Sequence, residues 1–332
     1  MQRRIAHFLA ALALLALPLW AGAQATPAAW PSKPIHLLVP FPPGGPTDIT
    51  ARLYAEKLTE RLGQPVIVEN KPGPNGIVVY NAMQGAQADG HTLAFVTIGG
   101  QVLQPAIQRY MKKPVEPDVN RLLKPVGLLA ETPLVLVVNP KVPVDNVKDL
   151  LAWLRANSAT LNYASDGVGS TTHLAMEMFN DALGIKAVHV PFKGTVASMN
   201  AVMRGDAQYA FAGILTPLQL HKAGRLKILA VSGGQPVASV PEAPVLASAA
   251  GIAGFDVSSW FAMFAPADVP ADRVAKLNAE LQAIARQPDV AARFESLGLQ
   301  TNPMTASALA ERVKKEQRTW EAVMERARPA VE

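Results

Sequence analysis

The sequence predicts an α/β protein of two lobes, each a β-sheet flanked by helices, joined by two chain crossings. Three observations carry this. Short apolar runs alternate with amphipathic helical patterns in two separate blocks, the signature of parallel, helix-covered sheets. Each block sets a glycine-rich turn directly after a strand and before a helix. A helical tail follows the second block and needs a surface to pack on. The 332 residues leave room for two domains at the usual ~100–200 residues each. Hydrophobic residues make up 49% and charged residues 17%, a globular balance that excludes a disordered chain. The 28 prolines predict many short elements separated by sharp turns.

The elements follow in order. Ile35 to Phe41 is a short apolar run ended by Pro42-Pro43-Gly44-Gly45, and it reads as a buried strand. A helical pattern then places Ile49, Leu53, Leu58 and Leu62 on one side. Gly63 stands as its C-cap, and Pro65 prevents continuation. Pro65 to Glu69 is the next strand, Asn70 to Gly76 a Gly/Pro loop, Ile77 to Ala86 a helix and His91 to Ile98 a strand. Gln101 to Lys124 reads as irregular. Leu134 to Val138 is a strand, Val147 to Ala156 a helix and Leu161 to Ser165 a strand. Thr172 to Leu183 is a helix capped by Gly184, with Leu174, Met178 and Phe179 toward the core. Ala187 to Val190, Gln208 to Phe211 and Leu226 to Val231 are further strands, separated by a helix from Thr195 to Arg204 and a shorter one. Val240 to Gly254 reads as loop. Val257 to Phe264 is a last strand, and helices over Ala271–Arg286, Pro288–Leu297 and Ala306–Arg326 complete the chain.

This order assigns 26–130 and 248–332 to the first lobe and 131–247 to the second. The crossings lie near Leu128–Leu134 and Ser248–Val257, and the tail packs on the first lobe. Two crossings make a hinge, with a cleft between the lobes.

Residues 1–25 read as a secretory signal peptide. Arg3 and Arg4 precede an apolar run from Phe8 to Trp20, followed by Ala21-Gly22-Ala23-Gln24-Ala25, and cleavage after Ala23 or Ala25 fits. A membrane anchor is the competing reading, but about 13 residues interrupted by Pro18 fall short of the ~20 that a spanning helix needs. The expected location is the periplasm. Cysteine is absent, which excludes disulfides, thiolate metal sites, cysteine nucleophiles and a lipid-modified N-terminal cysteine. The formal charge is only +5, and no Lys/Arg run marks a nucleic-acid arm.

The chemistry concentrates in loops. Pro42-Pro43-Gly44-Gly45-Pro46-Thr47-Asp48 follows the first strand, and Asp166-Gly167-Val168-Gly169-Ser170-Thr171-Thr172 follows a strand of the second block. In open α/β sheets such turns lie at the carboxyl ends of strands, where ligands bind. Glycine lets the backbone approach closely, and the free amides of a helix's first turn point at an anion with the helix dipole behind them. Hydroxyls of Thr47, Ser170, Thr171 and Thr172 add short donors. Ordinary strand-to-helix turn chemistry explains any one loop equally well, since Ser, Thr and Asp are preferred N-caps. Asp48 either caps its own helix or accepts a hydrogen bond from ligand or bound water. Lys193, in Pro191-Phe192-Lys193-Gly194-Thr195, either faces an anion or is a solvated loop lysine. The sequence lacks the G-x-S-x-G elbow, the G-x-x-x-x-G-K-[ST] phosphate loop and the H-E-x-x-H zinc pair. No cofactor and no metal are expected. His173 reads as a packing or capping residue, with a general base as the alternative.

The loops and their order resemble the Bug family of periplasmic substrate-binding receptors, which serve tripartite tricarboxylate transporters. The matching segments are Lys33–Gly76, Ala88–Gly99, Pro133–Pro140, Leu161–Phe179, His189–Thr195 and Ser258–Pro266. The resemblance implies a periplasmic-binding-protein-like fold of the Venus flytrap kind. It implies capture of a small carboxylated solute and delivery to inner-membrane permease subunits, by a monomer. Carried over by motif, the first-lobe contacts fall at Pro43, Gly44, Gly45, Thr47 and Asp48, with Thr97, Ile98 and Gly99 beside them. The second-lobe contacts fall at Gly167, Gly169, Ser170, Thr171 and Thr172, and at Phe192, Lys193 and Gly194. Three positions depart from the family pattern. Pro46 stiffens the first turn and removes an amide donor, Phe192 replaces a frequent tyrosine, and Ala212 stands where aspartate is common. Together they point to a ligand with one carboxylate end and an apolar or aromatic remainder. The alternatives are a sensory ligand-binding module for a membrane sensor, and an exported hydrolase or lyase using Asp48 and His173.

Overall fold

Nine strands form a mixed sheet system in two halves that share one strand (computed structural model, describing residues 30–73 and 76–329). The expected signal segment 1–25 lies outside the described residues. The strands are β1 (Ile35–Val39), β2 (Val66–Asn70), β3 (Thr92–Thr97), β4 (Leu123–Val138), β5 (Asn162–Ser165), β6 (Val188–Pro191), β7 (Tyr209–Gly213), β8 (Lys227–Val231) and β9 (Ser258–Pro266). Their order is β2-β1-β3-β9-β4-β7-β5-β6, with β8 also on β4. β1 runs parallel to β2 and β3, and β5 parallel to β6 and β7. The helices between them bury apolar faces on these sheets, as two β/α blocks require.

The first helix shows how local chemistry sets an element. It spans Pro46–Leu62, with proline in its first turn, where a missing amide costs nothing. It ends at Gly63, whose φ of 69° suits a residue without Cβ. Tyr54 and Leu58 are fully buried against the first sheet.

Two segments differ from the sequence reading. Gln101–Lys124 is not irregular: it carries the end of a π-helical turn (Gly99–Leu103), helices at Gln104–Tyr110 and Val119–Leu122, and the start of β4. Prolines at 105 and 125 mask these elements in the sequence. Pro105 lies in the first turn of its helix, and Pro125 lies where the β4–β9 register shifts, a place that tolerates a missing donor. The segment Val240–Gly254 contains a short helix, Leu246–Ala250, which packs on β8 and on the helix Val147–Asn157 and so stays with the second half.

β4 is the structural hinge strand. Residues 123–133 pair with β9, and residues 134–138 pair with β7 and β8. The return crossing passes Ser232, which is fully buried. The Leu134 amide donates to Ser232 Oγ at 3.1 Å, the Ser232 amide donates to Leu134 O at 2.9 Å, and the Val257 amide donates to Ser232 O at 3.0 Å. One serine thus ties both crossings together.

The tail departs from expectation in one respect. Ala271–Ala285 packs on β4 and on the helix Pro46–Leu62 of the first half. The last helix, Ala306–Ala327, packs on β4, on the π-helical turn and on Gln104–Tyr110, but also on Thr171–Leu183 of the second half. Its buried Trp320, Val323 and Met324 join an apolar cluster that includes Leu174 and Phe179. This helix therefore bridges the lobes instead of resting on one.

Candidate functional site

The strand registers bring the candidate loops to one seam. Thr97, which ends β3, pairs with Phe261, so β9 begins just beyond that end. Pro133 of β4 pairs with Ser258, and the next β4 residue, Leu134, pairs with Gly213 at the end of β7. The carboxyl ends of β1 and β3 therefore face the seam from one side, and those of β5, β6 and β7 from the other.

On the first side, Asp48 is consumed by its own loop. The Gly44 amide donates to Asp48 Oδ2 at 2.9 Å, Arg52 Nε donates to the same oxygen at 2.9 Å, and Asn70 Nδ2 donates to Oδ1 at 2.9 Å. Asp48 is only 3% exposed. Burial raises its pKa, but the hydrogen bonds from Arg52, Gly44 and Asn70 outweigh this and leave the carboxyl below its ordinary value. Asp48 therefore braces the loop that precedes its helix, and the Gly44 amide is engaged by this carboxylate. The amides of Thr47 and Asp48 lie in the first helical turn, ahead of the first intrahelical bond, which runs from the Ile49 amide to Gly45 O at 2.9 Å. Pro43 and Gly44 are exposed, Gly45 is half-buried and Thr47 is buried at 8% exposure. Thr97 and Gly99 are half-buried at the end of β3. Ile98 is buried, and its side chain belongs to the apolar core.

On the second side, Ser170 is the N-cap of the helix Thr171–Leu183. Its Oγ accepts from the His173 amide at 3.2 Å and meets Thr172 Oγ1 at 3.0 Å. Thr172 is buried, and its Oγ1 accepts from the Asp166 amide at 2.9 Å. Ser170 and Thr172 therefore brace the loop, while Ser170 and Thr171 both stay half-exposed at the helix start. Gly167 and Gly169 sit at φ of 131° and 72°, which side-chain-bearing residues rarely adopt. A Cβ added at Gly169 would lie 2.8 Å from Ile107 Cδ1, so this loop touches the first lobe's helix Gln104–Tyr110.

Asp166 joins this loop to the next. Thr195 Oγ1 and Ser198 Oγ donate to its carboxylate at 2.7 and 2.8 Å, and the Gly194 amide donates to its carbonyl at 3.2 Å. Burial pushes its pKa up, against the two hydroxyl hydrogen bonds. Phe192 is half-buried against the cluster that contains the fully buried Ala212. Lys193 is exposed, and Gly194 is half-buried at a φ of 90°.

Beneath the second loop lies a stacked pair of imidazoles. The rings of His173 and His189 lie 3.9 Å apart at 9°, with Tyr163 stacked on both. The Gly169 amide donates to His173 Nδ1 at 3.1 Å. Ser165 Oγ pairs with His189 Nε2 at 2.6 Å and accepts from the Gly167 amide at 3.1 Å. Burial, then the neighbouring His189, push the His173 pKa down to about 3, and burial pushes His189 down to about 4. Both rings are neutral struts at ordinary pH. The packing reading of His173 holds, and the ring that would serve as a base is committed to the loop.

The sequence reading missed Asn70, Ser165, Asp166 and His189. Asn70, Ser165 and Asp166 lie at the carboxyl end of a strand or just after it, which is the signal that could have flagged them, whereas His189 is the second residue of β6 and carries no such signal. Among the described residues, no group of three or more His, Cys, Asp or Glu is placed to hold a metal ion, and no helix is long and apolar enough to cross a membrane.

Comparison with known proteins follows the same lines. Residues 50–328 match the family described as the tripartite tricarboxylate transporter family receptor, TctC. BugT of Bordetella pertussis is 30% identical over 269 residues, covering 81% of this chain and 81% of that protein. The solved structure of R. palustris Rpa4515 with adipate superposes with a TM-score of 0.77 at 28% identity, over 90% of this chain and 98% of that one. MatC (Rpa3494) from Rhodopseudomonas palustris with bound malate gives a TM-score of 0.72 at 29% identity, over 89% and 99%. The α/β architecture, the facing loops and these matches lead to one assignment: the chain belongs to the tripartite tricarboxylate transporter receptor family of Bug-type solute-binding proteins.

Proposed function

We propose that the protein captures a small carboxylate at the seam between its lobes, returns it chemically intact, and delivers it to the membrane permease of a tripartite transporter. The observation that carries the reading is the opposition of two helix starts across one hinge. Pro46–Leu62 begins after a glycine turn on one side, and Thr171–Leu183 on the other. Orphan amides and the positive end of each helix dipole suit a carboxylate. The first-lobe contacts are Pro43, Gly45, Thr47, Thr97 and Gly99. The second-lobe contacts are Gly167, Gly169, Thr171, Phe192, Lys193 and Gly194. Asp48, Ser170 and Thr172 hold these contacts in place. The adipate and malate carried by the two R. palustris relatives support a carboxylate ligand here.

Closure follows from the topology. A solute touching both lobes makes its full contacts only when the hinge shuts, so binding shifts the population toward the closed form. The lobes divide near 130 and between 251 and 257, the chain acts as a monomer, and removal of the signal segment leaves a periplasmic protein. Mass spectrometry of the small molecule that co-purifies with the natively exported protein tests the reading. A carboxylate recovered unchanged supports it. A turnover product, or a ligand without an acidic group, refutes it.

A further inference from the structure

Each glycine loop carries a carboxylate at its base, but only one of the two has a counter-charge. Asp48 of the first lobe holds an arginine, with Arg52 Nε 2.9 Å from its Oδ2. Asp166 of the second lobe holds hydroxyls instead. Thr195 Oγ1 donates to its Oδ2 at 2.7 Å and Ser198 Oγ to its Oδ1 at 2.8 Å, and among the described residues no Lys, Arg or His forms an ion pair with it. Its place ties it to the proposed ligand contacts. Gly167 is the next residue in the chain. The Gly194 amide donates to the Asp166 carbonyl at 3.2 Å, and a Cβ at Gly167 would lie 3.4 Å from Phe192 O, so the two second-lobe loops touch beside it. Few charged or titratable groups lie on the elements around it. His173 and His189 form the neutral stack beneath the loop. Glu177 lies behind them, its Oε1 3.9 Å from His173 Nε2. The first turn of the helix Thr195–Arg204 brings hydroxyls and no charge, and Lys193 is exposed on the loop before it.

We propose that solute capture is proton-linked through Asp166: the solute's carboxylate and the Asp166 carboxylate repel across the second-lobe loops, and binding draws a proton onto Asp166. The inference rests on the carboxylate reading above and adds its regulation by pH. No contact between the two groups is needed, because charges act through space, and more strongly where protein replaces water. Asp166 is half-buried, and burial already raises its pKa against the two hydroxyl hydrogen bonds. A second negative charge beside it raises that value further. The loaded protein therefore holds the proton more tightly than the empty one. By linkage, affinity rises as pH falls toward the Asp166 value, and each bound solute takes up part of a proton. At neutral pH the ionised Asp166 weakens a grip that the same amides would hold more firmly without it.

Calorimetry with malate and 3-phenylpropionate, whichever binds, tests this. Titrations at pH 6.0 in Mes and in imidazole, buffers of unlike ionisation enthalpy, count the protons exchanged. The wild type takes up a fraction of a proton more per solute than Asp166→Asn, a variant that keeps the shape and removes the charge. At pH 7.5 Asp166→Asn binds at least threefold more tightly than the wild type. A merely structural role gives the opposite, since loosened loops weaken binding. Thermal melts confirm that the variant folds. Ser198→Ala serves as a second variant: it keeps the charge, removes a hydroxyl that favours the ionised form, and increases proton uptake at pH 6.0. A wild type that takes up no more protons than Asp166→Asn, or an Asp166→Asn that binds more weakly at pH 7.5, overturns the proton linkage alone. Failure of the wild type to bind either probe or any member of a carboxylate panel overturns the carboxylate reading and the linkage with it.

Discussion

Acid weakens this protein through two particular side chains. His173 is 1% exposed, its ring lies 3.9 Å from that of His189, and their pKa values sit near 3 and 4. In the unfolded chain both imidazoles titrate near 6.5. The folded values are depressed, so between about pH 6.5 and 4 the unfolded state holds two protons that the native state refuses. Stability is full above 6.5 and is lost as pH falls toward the native values. Two protons at about 1.4 kcal/mol each per pH unit give a slope near 2.7 kcal/mol per unit around pH 5. From pH 7.5 to 5 the loss integrates to at most about 4 kcal/mol, less what solvent screens at the half-buried His189, against the roughly 5–15 kcal/mol that holds a native fold. The groups facing the pair are Tyr163, Ser165 and Glu177, whose Oε1 lies 3.9 Å from His173 Nε2. Burial raises the pKa values of Glu177 and Asp166, so these carboxyls take up protons early in the native state and offset part of the slope. A double variant, His173→Gln with His189→Asn, isolates the imidazole contribution. Urea unfolding followed by tryptophan fluorescence at pH 7.5, 6.5, 5.5 and 5 gives each curve. The variant is less stable throughout, so the readout is the slope: steep for the wild type, shallow for the variant. Equal slopes between pH 6.5 and 5 refute the assignment of a neutral imidazole pair.

Other perturbations separate struts from contacts. Thr172→Val strips the acceptor from the Asp166 amide and lowers unfolding stability by about 1–2 kcal/mol. Thr171→Val leaves the melt unchanged and weakens carboxylate binding several-fold in calorimetry; unchanged affinity removes that hydroxyl from the site. Gly169→Ala costs about 1–2 kcal/mol for a Cβ in the left-handed region, plus the clash with Ile107. Adding Ile107→Ala recovers the clash portion, and denaturation of both variants shows whether the inter-lobe contact is real. Ser232→Ala leaves the buried Leu134 amide without its Oγ partner and costs about 1–3 kcal/mol. A melt equal to that of the wild type would show that the knot between the crossings contributes nothing.

How much of this was legible before folding depends on range. The run Ile35–Phe41, the helix from Pro46 to Leu62 and its Gly63 cap are local events: apolar period, proline in the first turn and glycine at the end are all adjacent in sequence. The glycine loops were legible for the same reason, and their position after strands already placed them at carboxyl ends. β4 was half hidden because its two prolines, Pro125 and Pro133, read as breaks until β9 is seen pairing past both, with a register shift at Pro125. The roles of Asp48 and Ser170 could not be decided, because a capping side chain and a ligand contact use the same residue types at the same spacing.

The sequence by itself determined the two β/α blocks, the hinge between them and the loops that face it, since periodicity and turn chemistry act over a few residues. Only the tertiary structure decided which polar groups remain for a ligand. Asp48 is claimed by Asn70 from the end of β2, Asp166 by Thr195 and Ser198, and His173 by its stack on His189. These partners are 16 to 32 residues apart in the chain. A buried polar atom must find a partner somewhere, and which one it finds is set by how the strands align, which no local pattern encodes.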